Sequence, residues 1–244
     1  MYTDTDKIFS GIFTGCLAAP DRCALAKRNM TAAQLEEAVY GILETLKYDP
    51  IPVGQFLITY ESVKGYISTA VYSPAYWQNL AMTLDALLSG NLTYLTNAAA
   101  LYTASQTVTP NDAEAIHGIK CGDKFPSTRK SHRADIFPVI DAYAQESRIL
   151  GDLTTNIIMQ CAQWKMDAKE RYEGDFHAST RHPLLLIGNT YDPYTPLVSA
   201  RNVSSGFEGS VVLEQHGYGV RSLSEVDGLV SDNQELTVCC STAP

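Results

Sequence analysis

Residues 184–220 read LLLIGNTYDPYTPLVSARNVSSGFEGSVVLEQHGYGV, and this stretch decides the fold class of the chain. The apolar run 184–187 predicts a strand that ends in a polar turn at Asp192, and Thr195 with Pro196 predicts the start of a helix. A second apolar run, 210–214, predicts another strand that leads into a glycine-rich loop. The order strand, helix, strand is typical of a parallel α/β sheet.

The same stretch resembles the tripeptidyl-aminopeptidase-like (peptidase S33-type) branch of the α/β hydrolases. In that family the turn aspartate, here Asp192, orients a histidine that is held by the loop after the second strand. The family loop usually reads Gly-His-Cys-Ser, whereas this chain has Gly219, Val220, Arg221 and Ser222. The resemblance therefore implies that Asp192 is the inherited acid of a Ser-Asp-His triad whose histidine is missing.

The nucleophile of such a triad is missing from the sequence as well. Hydrolases of this fold carry the serine in a G-x-S-x-G elbow, and no serine in the chain has glycine on both sides at that spacing. His216 lies four residues before the expected histidine, and a loop with two glycines could bring it toward Asp192 as a substitute base. The remaining histidines have no acid or nucleophile pattern nearby and are predicted to be surface or core residues; they are His117, His132, His177 and His182.

Residues 1–110 are predicted to be mainly helical. Thr31 and Gln34 form a capping box ahead of apolar residues at helical spacing, a second helix is predicted after Pro74, and a third over 93–104, before a loop at 107–112. The resemblance implies that this region is the cap that roofs the substrate pocket. Its opening matches the family at Asp6, Phe9, Phe13 and Cys16, although a helical bundle without that role would fit the same pattern.

Residues 111–223 are predicted to hold the C-terminal part of the hydrolase core, and 224–244 a divergent, partly ordered tail. Within the core, 115–121 reads as a strand and 131–150 as a helix. The predicted fold class is α/β, a partial α/β-hydrolase fold with a mainly helical cap and an incomplete parallel sheet of two to four strands. The resemblance covers the later half of the family domain, so the early strands and the nucleophile elbow would belong to a missing N-terminal hydrolase half.

Charge and composition exclude several classes of partner. The chain has 244 residues with 27 acidic and 18 basic side chains, and a net charge of −9 repels the phosphate backbone of nucleic acids. It contains no apolar run of the roughly 20 residues that span a membrane and no signal peptide at its start. We therefore expect neither nucleic acid nor membrane as a partner. Its localisation stays open, because the family is often secreted.

Secretory ancestry is also indicated by three N-x-[ST] sequons, at Asn29, Asn91 and Asn202, and by six cysteines. The resemblance, to fungal relatives in particular, implies disulfides between Cys16 and Cys23 and between Cys121 and Cys161. Cys239 and Cys240 are interpreted as unpaired thiols of the tail. No C-x-x-C or H-x-x-x-H spacing occurs, so no metal and no organic cofactor is expected.

Three functions remain open at this point. The chain could be part of a serine hydrolase that cleaves an amide or ester through an acyl-enzyme, in the manner of the aminopeptidases and esterases it resembles. It could be a degenerate, noncatalytic protein that binds a small molecule or peptide under the cap, as an accessory of a fungal biosynthetic pathway. It could also be an interaction module or a nonfunctional truncated product.

Overall fold

The computed structural model describes residues 2–105, 110–123, 133–172, 174–220 and 236–239. The helices are α1 (Thr5–Ala18), α2 (Ala32–Leu46), α3 (Tyr60–Tyr72), α4 (Trp77–Ser89), α5 (Leu92–Ser105), α6 (Pro110–Asp123), α7 (Arg133–Glu146), α8 (Thr155–Ala162) and α9 (Leu197–Ser205). The strands are β1 (Ile51–Val53), β2 (Phe56–Ile58), β3 (Leu185–Tyr191), β4 (Val211–Tyr218) and β5 (Leu236–Cys239). Short 3₁₀ helices occupy Pro20–Arg22, Ala24–Arg28, Pro74–Tyr76 and Gly151–Thr154.

The helices α1–α5 pack around one hydrophobic core. Each presents a stripe of apolar side chains at helical spacing, and burial of these stripes is the main force that holds the helices together. Among the fully buried side chains are Phe9, Phe13, Leu35, Ile67 and Leu84. The predicted helical character of the first part of the chain is therefore confirmed.

Local signals fix where these helices begin and end. The predicted capping box is present at α2, where the Gln34 N–H donates to Thr31 Oγ1 at 3.2 Å and the Thr31 N–H donates to Gln34 Oε1 at 2.9 Å. A second box, Thr59 with Ser62, starts α3 directly after the β1–β2 hairpin. Helix α4 ends at Gly90, whose φ of 67° is a left-handed conformation that glycine adopts without strain.

Residues 147–152, which we call the 147–152 anchor, fasten the second half of the chain to the helices. The Asp6 carboxylate on α1 accepts hydrogen bonds from the Ser147 hydroxyl at 2.6 Å and from the Arg148 N–H at 2.9 Å. The Arg148 guanidinium donates two bonds of 3.0 Å to Glu37 on α2. Bidentate pairing of this kind fixes orientation as well as position.

A buried lysine completes the anchor. Lys64 on α3 is 1% exposed, and its ammonium donates to the Tyr60 hydroxyl at 2.9 Å and to the Asp152 carboxylate. The Tyr60 hydroxyl in turn donates to Asp152 at 2.5 Å. Burial lowers the pKa of Lys64 despite the opposing effect of Asp152. Asp152 is therefore the partner that makes a buried ammonium tolerable at this position.

The predicted α/β sheet follows the anchor. Strands β3 and β4 are parallel, with Leu185 beside Val211, and α9 crosses between them. Gly188 allows α9 to approach β3, because a Cβ there would lie 3.0 Å from a methyl group of Leu197. Strand β5, within the predicted tail, pairs with β4 antiparallel. The fold class predicted from the sequence is thus confirmed, and the domain boundaries at 110 and 223 stay predictions.

The strand predicted at 115–121 is wrong, because these residues lie in α6. Pro110 occupies the first helical position, where its missing N–H costs nothing, and Ile116 and Ile119 lie three apart, which is helical spacing. The loop predicted at 107–112 is also wrong from Pro110 onward, because α6 begins at that residue. The helix predicted at 131–150 is present over Arg133–Glu146 and ends four residues before the predicted end, while 131 and 132 fall outside the described residues.

Two disulfides are present in the structure. Cys16 and Cys23 close the turn after α1, with Cα atoms 5.3 Å apart. Cys121 on α6 and Cys161 on α8 form the second, with Cα atoms 4.9 Å apart. Of the tail cysteines, Cys239 lies in β5, and Cys240 falls outside the described residues.

Candidate functional site

The acidic turn after β3 is closed by Asp192, which is 3% exposed. Its Oδ1 accepts hydrogen bonds from the N–H groups of Tyr194 at 2.9 Å and Thr195 at 2.7 Å, and its Oδ2 accepts from the Thr195 hydroxyl at 2.8 Å. Among the described residues the carboxylate has no further hydrogen-bond partner. Asp192 therefore caps its own turn, an Asx-type role, and it orients none of the described imidazoles.

This capping role predicts different effects for two substitutions of Asp192. Asparagine keeps an oxygen for the two N–H donors, so we expect Asp192→Asn to change the free energy of unfolding by less than about 1 kcal/mol. Asp192→Ala leaves buried donors without an acceptor and should cost about 2–3 kcal/mol. Urea unfolding measures both, with Asp141→Ala on the exposed surface of α7 as the control. Equal losses for both Asp192 variants would contradict the capping role.

Val220 stands at the position that the resembled hydrolases give to histidine. Its N–H donates to the Tyr72 carbonyl at 3.0 Å, and the preceding Gly219 N–H donates to the Tyr191 carbonyl at 2.9 Å. The buried Asn189 side chain donates to the Gly219 carbonyl at 2.6 Å. Gly219 has a φ of 94°, and a Cβ there would lie 2.8 Å from the Tyr72 carbonyl oxygen. The loop is therefore held by its backbone against the end of α3.

The structure does not bring His216 to Asp192. His216 is exposed within β4, its Nδ1 lies 3.1 Å from the Thr190 hydroxyl, and no hydrogen bond or ion pair joins it to the carboxylate in the part of the chain that is described. His177 and His182 are also exposed, and His117 lies on α6. His132 falls outside the described residues.

A cavity of about 300 Å³ opens beside the acidic turn. We call it the Tyr72 cavity; its walls come from the end of α3, the 3₁₀ helix Pro74–Tyr76 and the turn itself, through Ser68, Thr69, Tyr72, Ser73, Ala75, Tyr76 and Tyr194. The Ser68 and Tyr194 hydroxyls lie 2.6 Å apart and share a hydrogen bond. Tyr72 lines the cavity, and its carbonyl accepts the Val220 N–H. The cavity and Val220 are therefore adjacent.

Aromatic side chains hold the sheet against the helices near this cavity. Tyr191 stacks on Tyr218 with ring centroids 5.0 Å apart, and Trp77 meets Tyr218 edge-on at 5.2 Å. Gly11 on α1 permits this contact, because a Cβ there would lie 2.8 Å from the Tyr218 ring. Burial raises the pKa of both Tyr194 and Tyr218, so these phenols stay neutral at neutral pH.

The described residues contain no group of three or more His, Cys, Asp or Glu side chains that could hold a metal ion. Nor do they include a helix that is long and apolar enough to cross a membrane. The three sequon asparagines, Asn29, Asn91 and Asn202, are all exposed, and their glycosylation stays a prediction.

Comparison with known families gives one match, to a family model described as TAP-like protein (Abhydrolase_4), over residues 147–232. Residues 147–232 are related to the TAP-like domain of the α/β hydrolases. The match covers a little over a third of the chain, and it includes β3, the Asp192 turn, α9, β4 and Val220. No curated protein matches the chain.

The TAP-like segment supplies only one wall of the Tyr72 cavity, through Tyr194. The remaining lining residues come from 68–76, and the sequence identified none of them as functional. The only signals there were an aromatic-rich run over 66–72 and the helix start at Pro74. Hydroxyl side chains on adjacent helical turns are common in ordinary surfaces, so the sequence alone offered no reason to single them out.

Proposed function

We propose that this chain by itself is a noncatalytic relative of the serine aminopeptidases and esterases, and that it binds a small ligand in the Tyr72 cavity. The observation that supports this most directly is the hydrogen bonding of Asp192. Its carboxylate accepts three hydrogen bonds from residues of its own turn, beside an open cavity. An acid that serves a triad must instead accept the Nδ1–H of a histidine.

The residues around Asp192 agree with loss of the reaction rather than with a rearranged active site. Val220 has no titratable group, and His216 contacts Thr190 on the exposed side of β4. The sequence also has no serine in a nucleophile elbow. Without a nucleophile and a base, the covalent step of amide or ester hydrolysis has no residue to carry it out.

The cavity itself has the features of a binding site. Its volume lies at the lower end of the range of small-molecule pockets, roughly 300–1,000 Å³. It lies between the end of α3 and the turn after β3, and residues with hydroxyl groups and aromatic rings line it together. The ligand is expected to enter between α3 and the Asp192 turn.

The test combines a labelling assay with a binding assay. Purified chain is expected not to react with a fluorophosphonate probe, but to gain thermal stability with members of a panel of small acyl compounds. A ligand at 100 times its Kd stabilises by about 2.7 kcal/mol, which raises Tm by roughly 5–10 °C for a chain of this size. Labelling of the purified chain would reject the noncatalytic assignment.

Matched variants locate the binding. Ala75 lines the cavity and is exposed, so Ala75→Leu should fill the space without a folding penalty and abolish the Tm gain. Ala134 is an exposed alanine on α7, and Ala134→Leu should leave the gain unchanged. A flat response across the panel, or an undiminished gain in Ala75→Leu, would reject the proposal.

A second candidate, an interaction module that completes its sheet with another polypeptide, is favoured by one observation. Leu185 and Ile187 are 62% and 54% exposed on β3, which is an edge of the described sheet β3-β4-β5. An apolar edge strand is a template for a further strand, and an N-terminal hydrolase half would be one source of it. If the purified chain is a monomer that melts cooperatively, this candidate is rejected.

A further inference from the structure

Ser73 lines the Tyr72 cavity with a hydroxyl that makes no capping hydrogen bond to the 3₁₀ helix that follows it. The residue is 7% exposed and precedes the 3₁₀ helix Pro74–Tyr76. The Ser73 hydroxyl is not among the fully enclosed polar atoms of the described residues that lack a partner, which are Thr5 Oγ1 and Gln215 Oε1, so solvent in the cavity can bond to it. A ligand group that displaces this solvent would take its place as the hydrogen-bond partner.

The cavity lining is also uncharged. It consists of serine, threonine, alanine and tyrosine side chains, and burial raises the pKa of Tyr194 further from neutrality. A charged ligand would lose water there without gaining a countercharge, which is unfavourable. The lining therefore selects for a neutral ligand.

Aromatic side chains form the mouth of the cavity. Tyr72 and Tyr76 keep part of their rings exposed, and the Tyr72 ring lies 5.7 Å from that of Tyr194, tilted by 52°. Exposed rings next to a buried one offer faces and edges to a further ring. A volume of about 300 Å³ holds a six-membered ring with a small substituent, since benzene fits a cavity of roughly 150 Å³.

We propose that the Tyr72 cavity binds a small, uncharged aromatic carbonyl compound whose oxygen accepts a hydrogen bond from Ser73. The ring packs against Tyr72 and Tyr76, and the carbonyl points inward to the serine hydroxyl. This inference rests on the proposed function and adds the chemical class of the ligand. It assigns to Ser73 the role of the group that fixes ligand orientation.

The experiment compares three probes of similar size by isothermal titration calorimetry at neutral pH. Benzamide is neutral and aromatic, benzoate is charged, and cyclohexanecarboxamide is neutral but has no aromatic ring. Benzamide is expected to bind at least tenfold more tightly than the other two. Binding of benzoate or of the saturated amide as tightly as benzamide would overturn the ligand class, while the panel of acyl compounds would still support the proposed function.

Variants of Ser73 test the hydrogen bond. Ser73→Ala removes the hydroxyl and should weaken benzamide binding about fivefold to tenfold, with Tm unchanged, because no capping bond to the 3₁₀ helix is lost. Ser199→Ala, at an exposed serine on α9, is the control and should bind as the wild type does. An unaltered benzamide Kd in Ser73→Ala would overturn the role of Ser73. Absence of binding by every probe and by the whole panel would overturn the proposed function with it.

Discussion

Replacing Asp152 with alanine is expected to destabilise the chain by about 3 kcal/mol, because it leaves the Lys64 ammonium buried without its carboxylate. Removing one partner of a buried ion pair costs more than the pair contributes, since the remaining charge is unpaired in a poorly hydrated site. The expected loss lies at the lower end of the usual range because the Asp152 side chain is 38% exposed. Chemical unfolding followed by circular dichroism measures it.

A double variant separates the charge from the packing. Lys64→Met keeps the length of the side chain and removes the ammonium, so Asp152→Ala combined with Lys64→Met should recover most of the stability that the single variant loses. Glu44→Gln is the matched control, because Glu44 pairs with Lys47 on the exposed side of α2. This substitution should change the free energy of unfolding by less than about 0.5 kcal/mol. A double variant as unstable as Asp152→Ala would contradict the charge argument.

The pH dependence of unfolding gives a second signature of the same pair. Burial by itself would raise the pKa of Asp152, but the hydrogen bonds from Lys64 and Tyr60 outweigh it and hold the pKa below 3.8. A depressed pKa in the folded state contributes stability above the unfolded value, and this contribution is lost as the pH falls through the folded pKa. The free energy of unfolding of the wild type should therefore decrease as the pH drops below about 3.8. The part of this decrease that comes from Asp152 should be absent in Asp152→Asn.

The sequence predicted what is encoded locally. The box of Thr31 and Gln34 lies within four residues of chain, and the apolar spacing of α2 needs no distant partner, so both the start and the buried face of this helix could be read directly. The strand, turn and helix around Asp192 were predictable for the same reason. At 115–121 the spacing of the apolar residues was wrongly assigned to a strand, because a short segment with Ile116, Ile119 and a glycine is ambiguous between helix and strand.

What the sequence could not predict depends on distant residues. Ser68 and Tyr194, which share a hydrogen bond in the cavity wall, lie 126 positions apart. Lys64 and Asp152 are separated by 88 positions, and nothing near either one marks it as half of a buried pair. Asp192 was recognised by its motif, but its capping of Tyr194 and Thr195 became visible only with the geometry of the turn. The sequence motif thus singled out Asp192 without revealing the hydrogen bonds that its carboxylate accepts.

The second large effect is expected at Gly151, where the 147–152 anchor passes the end of α7. A Cβ at this position would overlap the Tyr143 carbonyl oxygen and lie 2.8 Å from the Ala144 Cα. Both neighbours are backbone atoms of a helix, so neither can rotate away as a side chain would. Gly151→Ala should therefore displace the anchor or the last turn of α7, at a cost of roughly 3 kcal/mol.

The control for this prediction is a glycine that should respond in the opposite direction. Gly41 lies inside α2, and a Cβ added there would meet no neighbouring atom within 4 Å, so Gly41→Ala is expected to stabilise the chain by about 0.5–1 kcal/mol through helix propensity. Urea unfolding of the two variants, made by the same change of one methyl group, measures the difference. A Gly151→Ala variant as stable as Gly41→Ala would show that the anchor does not pack closely against α7. In that case the Lys64–Asp152 pair, with Asp6 and Glu37, would hold residues 147–152 in place without support from the end of α7.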